Sequence, residues 1–314
     1  MRIFVAGAAG ALGSRLVPML VHRGHDVVGS TRRVDRADAV RALGAEPAVV
    51  NPLDRAQVLA AVREAKPDVV VHELTALSGT PNMRKWDDYF AMTNRLRTEG
   101  LDHLLAAARA AGAQRIVAQS FTGWCNERTG GPVKTEQDPL DPSPVLASRQ
   151  SLAAIRHVDS TMASARGIDG ISLRYGVFYG PGNAIGTGGA MLEMIRKRQL
   201  PVVGGGGGVW SFVHIDDAAH ATVMAIEGAG GPGLYNVVDD DPAPVREWLP
   251  YLARAIGAKP PMRLPAWLVR PMIGEYGVSA MTAIRGSSNA KARRELGWQP
   301  RYSSWRDGFR AGLG

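Results

Sequence analysis

The sequence predicts an α/β fold, a doubly wound parallel sheet followed by a smaller C-terminal domain, on three observations. Short apolar runs with β-branched residues alternate with helical stretches through the first half of the chain. Glycines cluster where the first such run passes into the first helical stretch. From about Gly180 the alternation gives way to loops rich in glycine and proline. Parallel strands need crossover connections, and helical crossovers cover both faces of the sheet they join.

Taken in order, Ile3-Phe4-Val5-Ala6 reads as a strand, with a helix from Leu12 to His22. Asp26-Val27-Val28-Gly29-Ser30 is the second strand, followed by a helix to Leu43. Pro47 to Val50 precedes a helix from Asp54 to Glu64, and Asp68-Val69-Val70-Val71 precedes a long helical run from Trp86 to Ala111. Arg115-Ile116-Val117-Ala118 leads to Ser120. Pro67 and Gly112 punctuate helix ends just ahead of strands.

Composition bounds what this fold can be used for. The 314 residues are 45% hydrophobic and 21% charged, which suits two globular domains and excludes wholesale disorder. One cysteine, Cys125, cannot form an intramolecular disulfide, and no Cys/His cluster has zinc-ligand spacing, so a reduced, cytoplasmic chain without a structural metal is expected. No apolar run reaches the roughly 18 residues of a membrane span. Arg2 followed by Ile3 to Leu12 superficially resembles a short signal peptide, but the glycines there have a better explanation.

Gly7, Gly10 and Gly13 stand at G-x-x-G-x-x-G spacing directly after a strand and at the mouth of a helix. Such glycines let the backbone turn sharply and approach a pyrophosphate, which the free N–H groups of the helix start then bind. The end of the second strand carries Ser30-Thr31-Arg32-Arg33, with no carboxylate to hold a ribose 2′-hydroxyl. A guanidinium suits a 2′-phosphate, so Arg32 and Arg33 favour NADP over NAD.

These residues resemble the extended short-chain dehydrogenase/reductase family, which includes nucleotide-sugar epimerases and dehydratases, and the resemblance spans essentially the whole chain. It implies a Rossmann-type NADP-binding domain over residues 1–178, with 209–237 returning to it, and a small substrate-binding domain from 179–208 and 238–314. It places Gly7, Gly10, Ala11, Leu12 and Gly13 at the pyrophosphate. It puts Asn51 and Leu53, in Asn51-Pro52-Leu53-Asp54, beside the adenine. Leu74, Thr75 and Ala76, after His72, match the strand end by the nicotinamide ribose, with Asn94 and Thr98 on the following helix. Arg174-Tyr175-Gly176 and Tyr179-Gly180-Pro181-Gly182 resemble the exit of the sixth strand, which brings Tyr175 to the cofactor. Phe212 to Asp217 resembles the family's return strand and helix start.

The family's reductive chemistry rests on a Tyr-x-x-x-Lys pair and a Ser or Thr after the fifth strand. Ser120 matches the hydroxyl, with Thr122 as a second candidate. The simplest alignment puts Val145 at the tyrosine and Arg149 at the lysine. No register restores the pair, because no tyrosine lies between Tyr89 and Tyr175 and the only lysine in that stretch is Lys134. Arg149 could still hydrogen-bond a ribose, but it is too weak an acid to work near neutrality.

Substitutes are sought at the strand ends and in the loop after the fifth strand. His72 and Glu73 end the fourth strand; Trp124, Cys125, Lys134 and Glu136 follow the fifth, and Lys134 or Glu136 could titrate if desolvated. His157 and Tyr179 are further candidates, each equally compatible with a solvated or packed role. His72-Glu73 lacks the second histidine of a metalloprotease motif, and Cys125 reads as a buried thiol.

The five glycines from Gly204 to Gly208 read as a flap over a ligand or as a surface linker. Formal charge is +8, from 37 Lys and Arg against 29 Asp and Glu. The stretch Arg285–Arg310 could face an anionic substrate or be a solvated face, and no nucleic-acid module is recognisable. The expected function is therefore an NADP-dependent oxidoreductase acting on a small organic carbonyl or enone without a catalytic tyrosine, using Ser120, Thr122, Arg149 and Glu136. A redox-neutral isomerase, dehydratase or cyclase, or a non-catalytic NADP(H)-sensing protein, stays open. The expected partner is a small molecule, not nucleic acid or membrane, and a homodimer is compatible with the sequence.

Overall fold

The computed structural model describes residues 1–77, 79 and 82–314. β1 (Arg2–Ala6) leads to α1 (Gly13–His22), β2 (Asp26–Thr31) to α2 (Ala37–Ala42), β3 (Glu46–Val49) to α3 (Arg55–Ala65), and β4 (Val69–His72) to α4 (Trp86–Arg95). A π-helical turn, Leu96–Gly100, joins α4 to α5 (Leu101–Ala110), which precedes β5 (Arg115–Phe121). The helix expected from Trp86 to Ala111 is thus two α-helices with one wider turn between them. Next come β6 (Val133–Lys134), α6 (Arg149–Ala163), β7 (Asp169–Tyr175), β8 (Val177–Tyr179), α7 (Ala190–Arg196), β9 (Val202–Val203), β10 (Val209–Trp210), β11 (Phe212–His214), α8 (Ile215–Ile226) and β12 (Gly233–Val237).

β1 to β5, β7 and β12 form one parallel sheet in the order β12-β7-β5-β4-β1-β2-β3. The order reverses between β1 and β4, and at such a switch point the carboxyl ends of the strands leave a crevice for a ligand. The strands read as apolar because both faces are covered. Leu16, Val17 and Leu20 of α1 and Ala218, Ala221 and Ala225 of α8 bury one face. Val58, Val62, Leu101, Leu104 and Val158 bury the other. Burial of this kind is worth roughly 25 cal/mol per Å² of apolar surface. Asp54 starts α3 by accepting from the backbone N–H groups of Ala56 and Gln57.

Beyond β7 the chain builds a second core around Trp210, Phe212, Trp248, Trp305 and Phe309. Its remaining elements are β13 (Ala243–Pro244), α9 (Val245–Ala255), β14 (Arg263–Leu264), α10 (Ala266–Thr282), β15 (Gly286–Ser287), α11 (Ala290–Glu295) and α12 (Trp305–Ala311). Short strand pairs stitch them: β8 with β11, β9 with β14, β10 with β13, and β6 with β15. Gly204 to Gly208 is part surface turn and part packed backbone, with Gly204 and Gly205 exposed. Gly206 and Gly208 are buried, and a Cβ on Gly208 would stand 2.6 Å from the Ala280 carbonyl oxygen of α10. Many basic side chains of the Arg285–Arg310 stretch are paired on the surface: Arg293 with Asp240, Arg294 with Glu295, and Arg306 with Asp241 and Glu247. No helix among the described residues is long and apolar enough to cross a membrane.

Candidate active site

The site is built first from backbone. Gly7 adopts φ +95°, and a Cβ there would lie 2.6 Å from the Glu73 carbonyl oxygen, just past the end of β4. A Cβ on Gly13 would overlap the carbonyl oxygens of Gly7 and Ala8. The turn between β1 and α1 is therefore closed to side chains at both ends, leaving a cradle over the start of α1 that fits a dinucleotide pyrophosphate. Gly10, Ala11 and Leu12 face a cavity of about 680 Å³, within the range of small-molecule sites.

At the end of β2, Arg33 is held by Asp35, whereas Arg32 is exposed. Asn51 is exposed and its side-chain oxygen accepts from the N–H of Leu53, shaping the turn after β3. Thr75 reaches the cavity; Leu74 is buried, and its carbonyl oxygen accepts from the Gln119 amide at 2.9 Å. The N–H of Ala76 donates to Thr93 at 3.0 Å, so α4 holds this loop through Thr93. Asn94 does not line the cavity; its amide reaches Ser151 of α6 at 3.2 Å. Thr98 bonds back to the Asn94 carbonyl within its own helix.

Ser120 is 1% exposed, lines the cavity, and its hydroxyl has no partner among the described residues. Thr122 turns away, bonded to Ser287 and approached by Asn126 at 3.4 Å. Arg149 is exposed at the start of α6 and does not line the cavity. Glu136 lies elsewhere, accepting at 2.7 Å from the N–H of Asn236 on the edge strand β12. Lys134 is buried beside Asp138, 3.4 Å away. Of the four side chains expected to act, the fold brings only Ser120 to the cavity. Trp124, near the start of the loop after β5, lines the cavity, whereas the charged residues further along do not. That distal part docks through β6 onto β15, and its Lys134 and Glu136 are engaged by Asp138 and the Asn236 backbone.

Val145 sits before α6, beside a small gap of about 10 Å³ walled by Trp124, Pro144 and Tyr276. Tyr276, from α10, stacks on Trp86 with ring centres 4.1 Å apart and meets Trp124 edge-on at 5.6 Å. The start of α6 is capped across the fold by Asp87 of α4. Its carboxylate accepts from the N–H groups of Gln150 and Ser151, at 2.9 and 2.8 Å, and from the Ser151 hydroxyl.

The remaining titratable groups divide sharply. Glu73 lines the cavity and burial pushes its carboxyl up to about 8, although the Tyr175 hydroxyl at 2.9 Å opposes the shift. Tyr175 also contacts Thr222 at 2.7 Å. The Tyr175 hydroxyl donates to Glu73, and the Thr222 hydroxyl donates to the Ala218 carbonyl. His72 is buried against the Leu96 carbonyl, and burial lowers its basicity. Cys125 is buried, its thiol pushed up to about 12, and it contacts the Phe121 carbonyl. That suits packing, not nucleophilic attack. Tyr179 packs edge-on against His214 and Phe309 in the second core. His157 bonds Asp102 at 2.8 Å on the outer face.

The sequence reading missed the cavity's other wall. Trp86, Phe90 and Arg97 all line it, with Tyr89, Phe121, Trp124 and Phe178. Trp86, Phe90 and Asn94 recur every fourth residue and Arg97 follows three later, so a shared helix face was the available signal.

The model for the NAD dependent epimerase/dehydratase family matches residues 3–237. A Streptomyces protein described as 3-diazoavenalumate denitrifying reductase is 44% identical over 315 residues, 98% of this chain and 99% of that protein. A 4-hydroxy-2-methyl-3-oxo-4-farnesyl-3,4-dihydroquinoline-1-oxide ketoreductase of Stigmatella aurantiaca is 27% identical, covering 96% of this chain and 93% of that one. Among solved structures, the UDP-glucose 4-epimerase of Thermus thermophilus in complex with NAD superposes with a TM-score of 0.74 at 26% identity. That alignment covers 100% of this chain and 98% of the other.

Proposed function

This chain belongs to the NAD dependent epimerase/dehydratase family, and from that premise we propose an NADP-dependent reductase that removes nitrogen from a diazo-substituted aromatic acid without a Tyr–Lys pair. The observation that carries the reading is one continuous cavity. It runs from the glycine cradle to an aromatic wall and holds the Ser120 hydroxyl. The 44% relative supplies the substrate class.

Gly7, Gly10 and Gly13 would hold the pyrophosphate, Arg32 the 2′-phosphate, and Thr75 the nicotinamide ribose. Bound there, the reduced nicotinamide supplies a hydride. The chemistry accounts for the missing tyrosine. A diazonium carbon that gains hydride forms a C–H bond, while the C–N electron pair leaves with dinitrogen, so atoms and charge balance without a proton at a carbonyl oxygen. The protein then has to bind, orient and exclude water. Phe90, Phe121 and Trp124 offer apolar surface for an aromatic ring, which would keep water from the reacting carbon. Ser120 is placed to donate to a substrate oxygen. That same free hydroxyl favours a second reading, reduction of a carbonyl or enone, in which Ser120 polarises the oxygen.

The test is stoichiometric. Purified protein is given NADPH or NADH with a diazotised aminocinnamate, and separately with a panel of enones and ketones. Dinitrogen released one-for-one with NADPH consumed is the expected result. Oxidation with enones alone would transfer the assignment to the second reading, and oxidation with none of them would remove both.

A further inference from the structure

We propose that Arg97 is the anion-binding residue of the substrate cavity and that it takes the carboxylate of an aromatic acid. Arg97 lies in the π-helical turn between α4 and α5, a kind of insertion often found at functional sites. It is 4% exposed, yet it lines the cavity together with Phe90, Ser120 and Trp124. A buried guanidinium calls for a paired anion, because desolvation of an uncompensated charge is costly.

No such anion is found among the described residues. The Arg97 Nε has no partner. Asp159, the nearest carboxylate to influence it, is engaged by Arg174 at 2.7 Å and by the Ser172 hydroxyl at 2.7 Å. Glu73, the acid lining the cavity, is bonded to Tyr175 and held as a neutral acid. Cys125 stays a thiol. Phe90 offers only the edge of a cation–π contact, its ring centre 5.9 Å from the guanidinium carbon. Burial brings the Arg97 guanidinium down to about 10, which leaves the side chain charged at neutral pH.

The fork of a guanidinium matches a carboxylate in two parallel hydrogen bonds. The cofactor phosphates have their own ligands at the start of α1 and at Arg32, so the anion left for Arg97 belongs to the substrate. An aromatic ring lying in the cavity against Phe90 and Trp124 would carry its acid group toward Arg97.

This rests on the cavity being the substrate site and not on nitrogen removal, so it is tested by binding alone. NADP⁺-loaded protein is titrated with cinnamate and with cinnamamide, following tryptophan fluorescence and calorimetry. Wild type is expected to bind the acid about tenfold or more tighter than the amide. Arg97→Met should bring that ratio near one with NADP⁺ affinity unchanged, and Arg97→Lys should keep part of the preference. A wild type without preference, or the same ratio in wild type and Arg97→Met, would overturn the assignment. An intact acid preference without dinitrogen release would overturn only the reaction proposed above.

Discussion

The cradle between β1 and α1 and the start of α6 are held by different kinds of constraint. In the cradle the constraint is backbone: carbonyl oxygens of Gly7, Ala8 and Glu73 fill the space that any Cβ at Gly7 or Gly13 would need. At the start of α6 the constraint is side-chain packing, with half-buried Val145 bordering the same small gap as Trp124, Pro144 and Tyr276. A backbone site tolerates no residue but glycine, whereas a packed side-chain site can be refilled. The comparison teaches why the two ends of the site differ in the substitutions they can accept.

The hardest way to break that contrast is Gly13→Val. Branched carbon against the Gly7 and Ala8 carbonyls should weaken NADPH binding by roughly 100-fold or more and cost about 3 kcal/mol of stability. Calorimetry and urea unfolding read both, and unchanged affinity would refute the backbone argument. Next comes Ser120→Ala, expected to lower kcat/KM by about 100-fold with NADPH affinity intact. Because the hydroxyl is buried without a partner, its removal should leave the melting temperature equal or higher. A large loss of stability would instead make Ser120 structural.

Glu73→Gln separates a charge effect from a shape effect. The carboxyl is raised from the usual 4.5 to about 8 in the folded chain, so folding retains a proton that the unfolded chain releases. Its contribution is full below about pH 4.5 and is lost as pH rises toward 8. Wild type should therefore lose roughly 3 kcal/mol relative to Glu73→Gln between pH 5 and pH 8, below the ceiling of ~1.4 kcal/mol per pH unit. Parallel unfolding curves for the two proteins would argue that Glu73 is ionised. The smallest expected effect is Arg32→Ala, which should weaken NADPH about tenfold and leave NADH unchanged. Arg33→Ala should do less, since Asp35 already holds that side chain. Equal losses for both cofactors would show that the arginine reads something other than the 2′-phosphate.

Local pattern carried the sheet into the sequence. The run Ile3–Ala6 with glycines behind it, and the later strand–helix units, are short-range signals that burial on both faces makes strong. What eluded the sequence is what depends on distant partners. Glu136 looked like a loop acid over the cavity, but it bonds the backbone of Asn236, 100 residues away. Tyr276 reaches Trp124 and Trp86 from a helix far down the chain. The run from Trp86 to Ala111 is helical as expected, but nothing in its composition marks the turn that widens at Leu96–Gly100. Arg97 was passed over for that reason, although it follows Asn94 at helical spacing.

The Asp87 cap has an electrical consequence. Two features near the catalytic end of the fold offer positive potential: the amino end of α6 and the guanidinium of Arg97. Asp87 satisfies the first from within the protein, through the N–H groups of Gln150 and Ser151. Arg97 is the one cationic side chain lining the cavity among the described residues, and a single substitution there would be enough to redirect the cavity from acids toward neutral compounds.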